Sequence, residues 1–144
     1  MIEIATKQDH PEITEVWELS VRATHHFLTE TDIQFFKPLI LNEYLDAVRL
    51  FCTRDKANRI IGFLGLSDDK IEMLFLHPDA RGKGIGKLLL QFATNDQQIH
   101  KVDVNEQNEQ AVGFYQHMGF RVVHRSPVDG MGKPFPILSM ELDK

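Results

Sequence analysis

The 144-residue sequence predicts an α/β (α+β) fold, a mixed sheet covered by helices. Three observations carry that prediction. Short apolar or alternating runs bounded by turn residues are interspersed with stretches of 3.6-residue periodicity. Their order, β-α-α-β-β-β-α-β-α-β-β, puts helices before and between the strands. Finally, residues 70–90 (KIEMLFLHPDARGKGIGKLLL) run from an apolar strand through a glycine-rich turn directly into a helix. No repeat or low-complexity segment divides the chain, and 42% hydrophobic residues suffice for one core, so residues 1–144 read as a single domain.

Taken in order, residues 1–5 (MIEIA) alternate apolar and polar and predict a first strand. Asp9-x-x-Glu12, with Pro11 in the first turn, predicts a capped helix start. Ile13, Val16, Trp17 and Val21 then recur at helical spacing, to about Phe27. A second helix is expected from about Thr31-Asp32, carrying Ile33, Phe36, Leu39, Ile40 and Tyr44, with Pro38 disturbing its regularity. From Val48 the period changes. VRLFCTR, RIIGFLGLS and KIEMLFLH predict three strands in an antiparallel meander, joined by DKAN and by a tight turn at Asp68-Asp69. A helix through about Asn95 follows the glycines, with Ile85, Leu88, Leu89 and Phe92 as its core stripe. HKVDVN is the next strand, and NEQAVGFYQHM a helix stopped by Gly119. FRVVHRS and PILSMELD are strands on either side of a Gly/Pro-rich loop. That makes about seven strands and four helices.

Several function classes are excluded by what the chain lacks. No apolar run approaches the ~20 residues of a membrane span, and the N-terminus, MIEIATKQDH, has no basic, then apolar, leader pattern. Cys52 is the only cysteine, which leaves no disulfide framework and no thiolate zinc cluster. His25 and His26 are adjacent and point apart on a helix, so they do not form an i, i+4 metal pair; the other histidines are scattered. A cytoplasmic protein with no metal and no membrane partner is expected. A formal net charge of −5 argues against nucleic acid as a partner.

Residues 81–87 point to an anion. Gly82, Gly84 and Gly86 let backbone N–H groups approach a ligand with no Cβ in the way, at a helix N-terminus. Arg81, Lys83 and Lys87 add positive charge uninterrupted by any acid. The reading is a diphosphate cradle. It is not a P-loop, because Gly82 and Gly86 are one residue too close and Leu88 follows Lys87. Nor is it a dinucleotide fingerprint, since the glycines are spaced G-x-G-x-G in mid-chain.

Arg81-x-x-Gly84-x-Gly86, after a strand ending in His77-Pro78, resembles the acyl-CoA-binding motif of the GCN5-related N-acetyltransferases. Asn108-x-x-Ala111-x-x-Phe114-Tyr115, followed by Met118-Gly119-Phe120, resembles the family's second signature. The resemblance is strongest over residues 70–120. It implies a mostly antiparallel sheet splayed after its fourth strand, next to a bulge that frees backbone groups. Those of Leu74, Phe75 and Leu76 would bond the pantetheine arm of acetyl-CoA, the cosubstrate, while Arg81, Gly82, Lys83, Gly84, Ile85, Gly86 and Lys87 hold its diphosphate. Asn108 would contact pantetheine, cap the last helix, or both. The molecule would be a monomer or homodimer.

The chemistry implied is direct transfer of an acetyl group from a thioester to an amine. A free alkyl amine has a pKa near ~10 and must lose a proton to attack. Glu72, acting through water, and Asp103 on the following strand are the rival bases. Tyr115 sits where the family often places the acid that protonates the leaving thiolate, and it would also lie against the CoA arm. His25 or His26 would reach the substrate cleft, which the first two helices border in the family. The alternative is an acyl-CoA-binding sensor or adaptor without catalysis; Tyr115 and the candidate bases favour an enzyme. The acceptor is not legible: residues 20–45 and 125–136 carry no readable motif, and an antibiotic, a polyamine, a small amino compound or a protein amino group all fit.

Overall fold

A computed structural model describes residues 1–143. The strands are β1 (Ile2–Ile4), β2 (Arg49–Arg54), β3 (Ile60–Leu66), β4 (Ile71–Leu76), β5 (Lys101–Asn105), β6 (Phe120–Ser126) and β7 (Ile137–Leu142). The helices are α1 (His10–Thr24), α2 (Glu30–Leu39), α3 (Ile85–Gln91) and α4 (Glu109–His117). The strands form one sheet in the order β1-β2-β3-β4-β5-β7-β6. All neighbours are antiparallel except β4 and β5. Among the described residues no helix is long and apolar enough to cross a membrane.

Each face of the sheet carries its own core. On one, Ile13, Val16 and Trp17 of α1 and Ile33 of α2 pack on Cys52, Phe63 and Met73. On the other, Leu89 and Leu90 of α3 and Tyr115 of α4 pack on Leu64, Leu66, Val102 and Met140. β3 serves both faces: Phe63 and Leu64 are fully buried on opposite sides. Truncating a Leu so enclosed costs about 2–5 kcal/mol, so both layers depend on this strand. Gly62 lets α3 come close, since a Cβ there would lie 3.0 Å from Leu76 and 3.1 Å from Leu89.

Two irregularities in β4 shape the centre of the molecule. Gly65 stands opposite Met73 and Leu66 opposite Ile71, which leaves Glu72 as an extra, bulged residue. Strict alternation would send Ile71 and Met73 to the same face. Instead Ile71 packs in the α3/α4 core and Met73 in the α1/α2 core. The bulge thus re-aims the rest of the strand, turning Leu74 and Leu76 toward α3/α4 and Phe75 toward α1/α2. Second, β4 and β5 share one registered pair, Ile71 opposite Val102, and then diverge. The splay expected from the family resemblance is therefore present, next to a bulge.

Element boundaries differ from expectation where long-range partners intervene. Asp9 and Glu12 do not form a capping box with each other. The Asp9 carboxylate accepts from Thr6 N and Arg54 Nη2, at 2.8 Å each. Glu12 Oε2 accepts from Ile60 N at 2.8 Å and pins α1 to the start of β3. Helix α1 stops at Thr24, with His25 as its C-cap. Helix α2 starts at Glu30, just before the expected Thr31-Asp32, because Thr29 and Asp32 cap one another: Asp32 N donates to Thr29 Oγ1 (3.1 Å) and Thr29 N to Asp32 Oδ2 (3.0 Å). Pro38 sits inside α2 without an N–H to donate, and a wide π turn over Ile40–Tyr44 follows. Leu88, expected in the core, is 43% exposed, because α3 turns that side outward.

Candidate active site

The divergence of β4 from β5 opens a seam through the middle of the sheet. His77 N donates to Ile61 O at 2.8 Å, which sets the phase of the β3–β4 ladder. By alternation Met73 and Phe75 bond toward β3, and the N–H and C=O groups of Leu74 and Leu76 point into the seam. Of the three residues expected to bond a pantetheine arm by their backbones, Leu74 and Leu76 present free groups, and Phe75 presents its ring.

At the end of β4 the chain turns through Pro78–Ala80, with His77 Nδ1 accepting from Asp79 N at 3.1 Å. Gly82 (φ +74°) and Gly84 (φ +78°, the N-cap of α3) follow in the left-handed region. A Cβ at either position would meet nothing within 4 Å. The glycines are therefore required by backbone conformation, and the space above them is open to a ligand. Lys83 and Lys87 are exposed beside it, Ile85 packs under Gly62, and Gly86 lines the cleft next to Leu76. Arg81 Nη2 donates to Ser20 Oγ at 3.3 Å, and burial holds its pKa below the ordinary value. An open cradle with bare backbone and three cations fits the diphosphate of an acyl-CoA.

Three cavities meet here. A cleft of about 180 Å³ lies on the α3/α4 side, lined by Leu76, Arg81, Gly86, Asn108 and Tyr115. The seam itself, about 90 Å³, is lined by Glu72, Asp103, Asn105 and Asn108. On the α1/α2 side a pocket of about 220 Å³ is lined by Trp17, Phe27, Phe36 and Phe135, with Asp129 as its carboxylate. His25 and Phe75 line all three.

Asn108 does cap α4: its Oδ1 accepts from Ala111 N at 3.3 Å. Its Nδ2 lies 3.3 Å from His25 Nε2, across the mouth of the seam. Tyr115 packs edge-on to Phe114 and Phe120 with centroids 5.3 and 5.5 Å away. Burial pushes its phenol above the ordinary value, so it stays protonated. Among the described residues no fully enclosed polar side-chain atom lacks a partner, and the Tyr115 side chain borders both cleft and seam. Asp103 is tied up: it accepts from Lys70 Nζ at 2.8 Å and from Ser139 Oγ at 2.9 Å, and this bond raises the Lys70 pKa. Glu72 is exposed on the bulge and faces the seam with Asp103. Neither carboxylate lines the aromatic pocket. Of the histidine pair, His25 is at the junction, whereas His26 is exposed and borders an open depression beside residues 107–110. Among the described residues no three His, Cys, Asp or Glu side chains gather as metal ligands.

The aromatic pocket was not anticipated from sequence. A compositional signal existed: ten Phe against two Tyr and one Trp, three of the ten at Phe27, Phe35 and Phe36.

Residues 19–143 match the family model described as an acetyltransferase (GNAT) domain. The chain is 38% identical over 133 residues to the peptidyl-lysine N-acetyltransferase YjaB of Escherichia coli K12, covering 92% of this chain and 90% of that protein. It is 27% identical over 140 residues to the peptidyl-lysine N-acetyltransferase YiaC of the same organism, covering 96% of this chain and 95% of that one. The solution structure of apo YjaB from Escherichia coli superposes with a TM-score of 0.88 at 36% identity, covering 98% of this chain and 95% of that one. A PaiA N-acetyltransferase from Thermoplasma acidophilum, solved with coenzyme A, shares the fold: TM-score 0.77, 20% identity, 99% and 98% coverage. These matches support an acetyl-CoA-dependent enzyme rather than a silent binding module. With its seam, cradle and both signatures in place, this chain belongs to the GCN5-related (GNAT) N-acetyltransferase family.

Proposed function

We propose that this N-acetyltransferase moves the acetyl group of acetyl-CoA to the side-chain amine of a lysine in a peptide or protein. The observation that carries this reading is the meeting of two spaces at His25 and Phe75. One is a seam with free backbone groups leading to a phosphate cradle. The other is an aromatic pocket with a carboxylate. A lysine side chain has the matching chemistry, four methylenes to lie among aromatic rings and a cationic end drawn by Asp129 and by ring faces. The names of the two relatives, both peptidyl-lysine N-acetyltransferases, support the same acceptor.

In this reading Leu74 and Leu76 bond the pantetheine amides as an added strand would, and Gly82, Lys83, Gly84 and Lys87 receive the diphosphate with Arg81. Asn108 keeps one amide hydrogen for the arm. The neutral amine attacks the thioester carbon, the C–N bond forms and the C–S bond breaks. Tyr115, held as the neutral phenol, hydrogen-bonds the leaving sulfur and hands it its proton. The test is thiol release with a panel of acceptors: lysine-containing peptides, free lysine, a polyamine and an aromatic amine. Peptides acetylated at the lysine side chain, found by mass spectrometry with the highest kcat/KM, are the expected result. Preference for any small amine over every peptide overturns the acceptor assignment.

A further inference from the structure

The order of hydrogen bonds around His25 leaves one arrangement of its protons. Ala111 N–H can only donate, so Asn108 presents Oδ1 to it and turns Nδ2 toward His25. An amide nitrogen also only donates, so His25 Nε2 must carry a bare lone pair. On the other side of the ring, Nδ1 is 2.8 Å from Thr24 Oγ1. The single hydroxyl hydrogen of Thr24 goes to Ser20 O at 2.8 Å, so Nδ1 must be the donor. The chain of bonds from α4 to the end of α1 therefore fixes the Nδ1–H tautomer and leaves an unprotonated Nε2 facing Asn108 Nδ2, on a ring that lines all three cavities.

We propose that His25 is the base of the transfer, its Nε2 accepting the proton that the acceptor amine sheds as its nitrogen bonds to the acetyl carbon. The proposal rests on the N-acetyltransferase reading and deepens it. The contact from Asn108 Nδ2, at 3.3 Å, is long for a hydrogen bond, so the lone pair is weakly held and free to exchange partners. The charged form gains from Thr24, which accepts Nδ1–H in either state. The expected carboxylate bases are worse placed, for Asp103 already serves Lys70 and Ser139, and neither it nor Glu72 borders the aromatic pocket.

The titratable and charged groups facing the ring are Arg81 after β4, His26 beside it, Tyr115 on α4, Glu72 and Asp103 across the seam, and Asp129 in the aromatic pocket. Burial first, then Arg81 and His26, bring the His25 pKa to about 4, so the ring is neutral at working pH. A weak base suffices, because an N–H on a nitrogen newly bonded to the acyl carbon is far more acidic than a free ammonium. The balance closes: the amine proton goes to Nε2, the Tyr115 proton to sulfur, and solvent carries a proton from imidazolium back to tyrosinate.

Two measurements test this. In the free protein at neutral pH, long-range 15N–1H correlation should show Nδ1 protonated and Nε2 bare; the opposite tautomer overturns the proposal. Kinetics then separate base from scaffold. His25→Gln keeps both hydrogen bonds, with its oxygen toward Asn108 and its nitrogen toward Thr24, but has no basic lone pair. Its kcat/KM should fall by about 10²–10⁴-fold, the usual range for a positioned proton-transfer group, with CoA affinity by calorimetry unchanged. His25→Ala should fall similarly and regain rate with added imidazole. A Gln variant as active as the parent, or an Ala variant that binds CoA but is not rescued, overturns the proposal. If the parent itself acetylates no amine, it is the acetyltransferase reading that fails.

Discussion

Replacing Gly84 separates what the backbone requires from what the ligand requires. Gly84 has φ +78° at the N-cap of α3, and a Cβ there meets no protein atom within 4 Å. Steric cost in the free protein is therefore conformational only, about 1–2 kcal/mol for a residue with a Cβ held in the left-handed region. For a chain of this size that lowers Tm by roughly 2–8 °C. Asparagine tolerates this region better, so Gly84→Asn should regain part of the loss. The ligand sees something else. In the proposed binding mode a Cβ would occupy the space where phosphate oxygens approach backbone N–H groups, and Asn would fill it more than Ala does. Stability should thus run Gly > Asn > Ala, whereas CoA affinity should run Gly > Ala > Asn, with Asn weaker than Gly by at least the ~1.4 kcal/mol that makes a tenfold change in Kd. Thermal unfolding gives the first order and calorimetry with CoA the second. Affinities that simply follow stability, or an Asn variant that binds CoA like the parent, would refute the placing of the diphosphate over this glycine.

Two other substitutions are informative. Tyr115→Phe keeps the packing against Phe114 and Phe120 and removes only the hydroxyl; turnover should fall by roughly 10²–10⁴-fold with little change in Tm, and unchanged turnover where chemistry limits the rate would leave Tyr115 a packing residue. Glu72→Gln, on the exposed bulge, should cost far less turnover than His25→Gln, and the reverse order in steady-state assays would return the base to the carboxylate. Acid stability offers a separate check. Burial lowers the His25 pKa from 6.5 to about 4 in the folded chain. Between those values the unfolded chain binds the proton and the native one does not, so this group makes stability fall as pH drops from 6.5 toward 4, with no further change below. Denaturant midpoints measured across this window should decline less steeply in His25→Gln than in the parent, and parallel declines would contradict the burial of a neutral imidazole.

Much of this architecture is legible in the sequence because its signals are local. The glycine cradle, the Asn108 cap and the Gly119 stop each depend on a few consecutive residues, and all three stand where the spacing predicts. What escapes is set by distant partners. Glu12 leaves its expected cap for Ile60 N, 48 residues away. The bulge at Glu72 is invisible in IEMLFL, an unbroken apolar strand apart from one acid, because only the facing strand reveals the skipped register. The link between His25 and Asn108 spans 83 residues, and nothing near His25 distinguishes it from His26. The aromatic pocket likewise draws Phe27, Phe36 and Phe135 from both unreadable segments. Sequence spacing points to the cradle side of the candidate site, while tertiary packing alone builds the aromatic pocket.

The single shared pair between β4 and β5 has a consequence for solubility. Strand edges invite pairing with other chains, and most proteins confine them to the rim of a sheet, where charge or shortness protects them. This molecule keeps two more in its interior, the far half of β4 and the facing side of β5. They are guarded by thickness instead of charge. The seam is about 90 Å³, closed at one end by Ile71 and Val102 and bridged at its mouth by His25 and Asn108. Another polypeptide strand brings side chains to both faces of the sheet, and here those faces are already filled by Leu74, Leu76 and Phe75. Only a slender, almost unbranched arm can pair there, so the same narrowness that would admit a pantetheine arm under the proposed function also keeps the sheet from recruiting its neighbours.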